Sequence, residues 1–405
     1  MSKSNLNDSP VFTRKRGLLA TLATLVVFGC VQNQPMIESG LAQLQKQFFS
    51  EINAAAELEA ELRGELPEDE ARESYRYLDA TVIPVVQARA ETKPVASFDD
   101  AADDPAIWIH PTDPTKSLVL GTDKKAGIGV YDLSGSQKQF LPAGLPNNID
   151  LRQSVTVGNW SGDLAVSSNR ADNGVTVFSV NENGLEMLGG FAADTEPYGI
   201  CMGRVDGATP QVIAFVTYKN GIVKGYQIDQ VAPNVIASEV GAYQFGTQLE
   251  GCVHDDATNT LYVGEEAAGI WQLETSLTAS LLLAPVVIDR IGEDTGLIAD
   301  VEGVALYNNG RNQYLVVSSQ GNDSYAVYDA KSPYDFKGRF RIGAGPAIDG
   351  AQETDGLEAN ATPIGNVFPA GILVVQDGFN GPYGSPQNFK IVDWRDIADA
   401  LSLPR

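Results

Sequence analysis

Beyond about residue 81 the chain alternates short, β-branched apolar runs with polar, glycine-containing turns, a pattern that predicts strands rather than helices. One plan returns six times: LVLGTDKKAGIGVYDL, LAVSSNRADNGVTVFSV, IAFVTYKNGIVKGYQI, LYVGEEAAGIWQL, YLVVSSQGNDSYAVYDA, and ILVVQDG followed later by NFKIVDW. With Lys124, Arg170, Lys219, Glu266, Gln320 and Asp377 as turn markers, the steps are 46, 49, 47, 54 and 57 residues. A second marker opens the strand ahead of each hairpin, at Asp104, Asp150, Tyr198, Glu250, Glu302 and Asp355, with steps of 46, 48, 52, 52 and 53. Several strands per unit and a period near fifty are the signature of an all-β, six-bladed β-propeller. A pair of β-sandwiches is the competing architecture, but it gives no reason for six repeats in register. A closed ring must protect its last strand edge. The run Thr81 to Val86 (TVIPVV) is expected to do so by joining the blade built from the C-terminal segment.

The first eighty residues follow other patterns. Leu41, Leu44, Phe48, Ile52, Leu58 and Leu62 recur at roughly helical spacing, so residues 31–80 are expected to form a helical spacer arm, broken by Pro67 and the acidic run Glu68-Asp69-Glu70. Ahead of it, Arg14, Lys15 and Arg16 precede an uncharged run of twelve residues, Gly17 to Phe28, too short to span a bilayer. It ends in Val27-Phe28-Gly29-Cys30, which resembles a bacterial lipobox, with an ordinary cleaved signal peptide as the alternative. The resemblance implies export and a body tethered to the cell envelope through a lipidated Cys30. The expected organisation is therefore a signal segment (1–30), the arm (31–80) and the propeller (81–405). Cys201 and Cys252 could pair outside the cytoplasm, but their spacing does not place their Cα atoms within bridging distance. Buried free thiols are expected.

Charge then changes the picture. The 405 residues carry 28 Lys and Arg against 52 Asp and Glu, a formal net charge of −24. No nucleic acid is expected as a partner, because that takes a basic face. Residues 91–405 hold 19 basic and 40 acidic side chains, so the acid excess belongs to the propeller body. A propeller brings equivalent positions of successive blades around one axis. The opening markers Asp104, Asp150, Tyr198, Glu250, Glu302 and Asp355 then form a ring of five carboxylates and a phenol, which needs cations between its members. Hard oxygen ligands suit Ca²⁺, several ions of it. Zinc is disfavoured, since His110 and His254 are the only histidines and no CxxC pair exists; His110, in IWIHP, reads as a packed or turn-bonded histidine.

The turns add a second asymmetry. Blades one to three carry Lys124, Lys125, Arg170 and Lys219, and blades four to six carry Glu265, Glu266, Gln320 and Asp377. A cationic half beside a metal-binding half can hold phosphate oxygens and activate a water against phosphorus, with no protein nucleophile. Singly, an acid before a glycine reads as a solvated turn. Six-fold placement together with sign segregation favours a site.

These residues resemble the β-propeller phytases, alkaline, calcium-dependent phosphatases of the 3-phytase type that act on myo-inositol hexakisphosphate. The likeness runs from about Glu91 to Ile397 through DDPAIWIHPTDP, the Lys124-Lys125 turn, NNIDLR, SSNR, VTYK, LEG with EE behind it, DVEG, SSQGNDSYAVYD, the IDG and TDG pair, and QNFK. The resemblance implies a six-bladed fold, phytate or calcium-phytate as partner, and a monomer attached to membrane only through Cys30. By position it implies that Lys124, Arg170 and Lys219 bind phosphate. Tyr198, Glu250, Glu266, Glu302 and Asp355 match the calcium cluster of the cleavage site, where a metal-bridging water attacks phosphorus. Glu91, Asp104, Asn148, Asp150, Asp300, Asp349, Asp377 and Asn380 lie at or beside positions resembling other calcium sites. The chain departs from the family at Asn220, where a Glu is common. Two rival readings stand beside this one: a calcium-dependent lactonase or phosphotriesterase, and a non-catalytic, calcium-stabilised binding propeller.

Overall fold

The computed structural model describes residues 83–404 apart from 206–209, 278–280, 293 and 382–384; the signal segment and the helical arm lie outside the described residues. Six sheets follow one another along the chain, each a meander whose strands pair with their sequence neighbours. Blade 1 holds β3 (Ala102–Trp108), β4 (Leu118–Asp123), β5 (Gly127–Asp132) and β6 (Gln137–Pro142). Blade 2 holds β7 (Pro146–Val157), β8 (Trp160–Asn169), β9 (Gly174–Asn181) and β10 (Gly184–Ala192). Blade 3 holds β11 (Ile200–Val205), β12 (Gln211–Thr217), β13 (Ile222–Gln230) and β14 (Ile236–Gln244). Blade 4 holds β15 (Leu249–Asp255), β16 (Thr260–Glu265), β17 (Gly269–Glu274) and β18 (Val286–Arg290). Blade 5 holds β19 (Val301–Asn308), β20 (Gln313–Ser319), β21 (Ser324–Asp329) and β22 (Phe336–Gly343). Blade 6 is built from β23 (Leu357–Asn360), β24 (Ile372–Asp377) and β25 (Asn388–Asp393).

The first strands touch in a closed cycle, β3 to β7 to β11 to β15 to β19 to β23 and back to β3, and so surround the axis. Burial follows radius. Every residue of β3 is buried, because both sheet faces and both strand edges are covered. The outermost β6 alternates half-buried and exposed positions, the sequence pattern of a strand with one wet face. Each pair of neighbouring blades encloses its own apolar cluster, and the one between blades 1 and 6 (Ile107, Val119 and Tyr131 against Ile372, Val374 and Phe389) closes the ring. Gly121 makes room there, since a Cβ would lie 2.2 Å from the Phe389 ring.

Ring closure differs from expectation. The short strand β1 (Val85–Gln87) pairs in parallel with β22, extending blade 5, while β2 (Ala90–Glu91) pairs antiparallel with β25 and completes blade 6. The closing strand is thus a few residues later than Thr81 to Val86. The reason is the edge each strand meets: β1 finds the free rim of β22, and the chain then crosses to β25, whose edge would otherwise remain open. After β25 the helix α1 (Trp394–Ala400) is capped by Asp393, whose side chain accepts the Arg395 amide.

The cysteines are also corrected. Cys201 and Cys252 form a disulfide, with Cα atoms 5.7 Å apart. They sit on β11 and β15, inner strands of adjacent blades, which the cyclic packing brings within bridging distance.

Candidate active site

The site is built at the start of the inner strands, and two local devices aim it. Register shifts occur between Ala102 and Pro105, Pro146 and Ile149, Leu249 and Cys252, and Val301 and Val304. Each is a β-bulge, which breaks the alternation of faces and re-aims a side chain. The second device is the glycine after each marker. A Cβ on Gly199, Gly251 or Gly303 would lie 2.0, 2.2 or 2.7 Å from a backbone oxygen of the next blade, at Glu250, Glu302 and Asp355 respectively. These glycines therefore allow inner strands to approach closely and bring the acidic side chains together, rather than forming solvated turns.

Glu250, Glu266 and Glu302 converge: carboxylate oxygens from all three lie within 4.8 Å of one another, and all three residues are buried. Asn147 donates to Glu250 Oε1 at 2.8 Å, and the Thr217 hydroxyl donates to the Glu250 carbonyl at 2.7 Å. Asn148, with its amide nitrogen turned inward, donates to Glu250 Oε1 at 3.2 Å and to the Tyr198 carbonyl at 3.2 Å. Gln248 donates to Glu266 Oε1 at 2.7 Å. Burial, then the charges of Glu250 and Glu266, hold the Glu302 carboxyl well above the ordinary range. Burial and the same acids push the Tyr198 phenol up. On the far side Asp103 and Asp355 share Lys124, whose Nζ is 3.3 Å from each and 2.7 Å from Asp100. Even so, burial followed by Glu250 and Asp355 outweighs Lys124 and keeps the Asp103 carboxyl raised. Gln320 donates to Asp355 Oδ1 at 2.6 Å.

Four buried oxygens in this cluster accept no hydrogen bond: Asp103 Oδ1, Asn147 Oδ1, Glu302 Oε2 and Gln320 Oε1. Buried acceptors normally have donors. A group of buried oxygens without donors, beside three converging carboxylates, fits a hard cation with oxygen ligands. The histidines take no part: His110 accepts turn amides from Thr112 and Asp113, and His254 bonds Asp256 and Thr275. The cations flank the acids. Arg170 Nη2 donates to the Lys124 carbonyl at 3.3 Å while its buried Nε is without an acceptor, and Lys219 Nζ lies 4.5 Å above the Tyr198 ring. Carboxylates and cationic side chains thus stand side by side.

The profile of the phytase family matches residues 65–403, most of the chain. The chain belongs to the phytase family. The 3-phytase of Bacillus subtilis (strain 168) is 38% identical over 330 residues, 78% of this chain and 85% of that protein. Among solved structures, the WD40 domain of SCAP from fission yeast is 11% identical with a TM-score of 0.39, covering 70% of this chain and 64% of that one. Chaetomium thermophilum Sqt1 is 14% identical with a TM-score of 0.41, covering 75% and 90%. The chain is accordingly a phosphoric monoester hydrolase, an enzyme of phytate hydrolysis.

Not every expected site residue of this phytase joins the cluster. Asp104 accepts the Ile149 amide at 2.9 Å and Asp150 accepts the Met202 amide at 2.7 Å, each clasping the next blade. Asp150 also pairs with Arg152 at 3.1 Å, and Arg152 reaches on to Asp256 at 3.2 Å, farther along the channel. Asp103, one residue ahead of Asp104, and Asn147 with the expected Asn148, ahead of Asp150, interact with Glu250. Asp300 lies at the edge, its carbonyl accepting the Gln320 amide at 3.0 Å. Among the turn markers, Glu265 is spent on structure, accepting from Gly246, Thr247 N and the Thr247 hydroxyl at 2.7 to 3.0 Å. Asn220 turns its side chain onto the Ile222 amide at 3.2 Å.

Glu91, Asp349, Asp377 and Asn380 form a second cluster, at the ring closure. They surround Lys390, a residue that sequence reasoning did not single out. Its fully buried Nζ is 2.6 Å from Glu91 Oε2, 3.0 Å from Asp377 Oδ2 and 3.4 Å from Asn380 Oδ1, and also pairs with Asp349. Burial lifts the Asp377 carboxyl to about 6 against the pull of Lys390. Asp103 and Lys390 both stood inside quoted motifs, DDPAIW and QNFK. The available signals were the doubled aspartate and a lysine inside an otherwise apolar strand.

Proposed function

We propose that this phytase hydrolyses phytate as a calcium complex, with Ca²⁺ held by Glu250, Glu266 and Glu302 and flanked by Tyr198, Asp103, Asp355 and the amide oxygens of Asn147 and Gln320. The observation that carries the reading is the set of buried, donorless oxygens beside three cationic side chains. Calcium held there would supply positive charge against the phosphate oxygens and would make a water more acidic. The chain's own residues do the rest. Lys124, Arg170 and Lys219 hold the non-bridging oxygens of the phosphate; the guanidinium can do so through paired N–H groups, the unaccepted Nε among them. Lys124 and Arg170 are partly buried, which strengthens their contacts, while Lys219 is exposed. Lys124 is paired with Asp100, Asp103 and Asp355 and would be free to turn toward phosphate if a cation neutralised those acids.

A neutral-ester hydrolase would not require three cations beside the acids, and the family's 3-phytase relative favours turnover over a purely binding role. The Cys201–Cys252 bond supports export, because disulfides form and persist outside the cytoplasm. Among the described residues no helix is long and apolar enough to cross a membrane. Attachment to the cell envelope through a lipidated Cys30, a monomeric state and a calcium-stabilised role for the closure cluster belong to the same proposal. Phosphate release from phytate, measured with calcium and after thorough chelation, is the test. Activity that depends on calcium supports the reading, and activity that persists in chelator overturns it.

A further inference from the structure

We propose that the Cys201–Cys252 disulfide is a positioning element of the active site, setting the separation of Tyr198 from Glu250. The inference rests on the calcium reading above. Cys201 follows Tyr198 by three residues and is the second residue of β11, and Cys252 follows Glu250 by two in the middle of β15. The bridge therefore ties the segment that presents the phenol to the strand that presents the central carboxylate, within three residues of each. Its place in the ladder matters. Leu249 pairs with Glu265 and the next register partner is Cys252 with Val263, so Glu250 and Gly251 lie in the bulge between them.

Bulged residues are released from the strand pairing that would otherwise fix them. Two other junctions are held by short backbone bonds, Gly303 N to the Asp355 carbonyl at 2.7 Å and Gly356 N to the Asp103 carbonyl at 3.1 Å, whereas the backbone bond between blades 3 and 4, Leu249 N to the Tyr218 carbonyl, is longer at 3.4 Å. At the junction of blades 3 and 4, Glu250 is held by the Thr217 hydroxyl on its carbonyl, by Gly199 packed against that same carbonyl, and by the sulfur bridge two residues on. Thr217 in turn accepts the Tyr198 amide on its carbonyl at 3.0 Å. One covalent tie and one hydroxyl thus fix both site residues against each other. A crosslink stabilises a fold wherever it is placed, by constraining the unfolded chain. Only a crosslink that positions ligands also changes metal affinity.

The test is calorimetric calcium binding to three full-length proteins: native, Cys201→Ala/Cys252→Ala, and Val119→Ala as a destabilised control in the core between blades 1 and 6. Reduced native protein, verified by thiol count, serves as a second bridge-free form should the double variant fail to fold. We expect the bridge-free form to bind calcium about tenfold more weakly, as for other changes that support a metal ligand. Its half-saturating calcium for phytate turnover should rise in parallel, with kcat at saturating calcium within about twofold of native. The control should lose melting temperature and keep its calcium affinity. Equal affinity in native and bridge-free protein overturns the inference and leaves the calcium reading intact. A native protein that binds no calcium overturns both.

Discussion

Two acid clusters in this molecule are made of the same residue types and solve the same electrostatic problem in opposite ways. At the ring closure Glu91, Asp349 and Asp377 surround the buried ammonium of Lys390. Around the axis Glu250, Glu266 and Glu302 instead bring three buried carboxylates within 4.8 Å of one another, and the nearby Lys124 is paired with Asp100, Asp103 and Asp355. The titration behaviour records the difference. Asp377 rises only to about 6, whereas Glu302 and Asp103 are held well above their ordinary values. An internal lysine makes a cluster that is complete without a partner. Converging carboxylates with a buried oxygen that accepts no hydrogen bond, Glu302 Oε2, are the place where a divalent ion gains most.

Removing the internal cation is the strongest way to break this contrast. Lys390→Met should leave three acids around a buried, uncharged side chain and cost about 3–5 kcal/mol, the range for splitting a buried ion pair. Thermal unfolding in chelator measures it, and added calcium should restore part of the loss. A change no larger than that of an exposed lysine would show that the closure cluster does not depend on its ammonium. The corresponding change at the mouth acts on chemistry instead. Glu250→Gln should lower turnover of phytate about a hundredfold or more with an unchanged circular dichroism spectrum. Arg170→Ala, which removes the guanidinium and its free Nε, should lower kcat/KM by about ten- to a hundredfold, the worth of one charge-assisted hydrogen bond.

The smallest effect is in pH. Glu302 titrates at 4.5 in its ordinary state and higher in the fold, so the folded, metal-free protein holds a proton that the unfolded chain has lost. Stability of the metal-free form is full below about 4.5 and falls as pH rises through the raised value. Calcium should remove this slope and expel the proton. Melting temperatures across pH with and without calcium, and proton release on calcium addition in weak buffer, should agree; parallel pH slopes in the two forms would contradict it.

The repeat made the six-bladed ring legible, because a unit near fifty residues with two independent markers has few other architectures open to it. The cationic turns were legible for the same reason. Facing was not. Asp103 and Asp104 differ by one position, and a bulge, which has no reliable sequence signal, decides which of them looks into the channel. The closing strand was misplaced because β1 and β2 are three and two residues long, and nothing in so short a run says which edge it will meet. Cys201 and Cys252 are separated by 51 residues, close to one repeat, which places them on adjacent inner strands once the ring exists. Lys390 reads as an ordinary strand residue because its three acids come from three other segments of the ring.

The most direct test is anomalous diffraction from crystals grown in calcium. The account predicts an ion density peak among Glu250, Glu266 and Glu302, within coordination distance of oxygens from all three, that disappears in Glu250→Gln. An active, calcium-loaded crystal with no ion at those three carboxylates would contradict it.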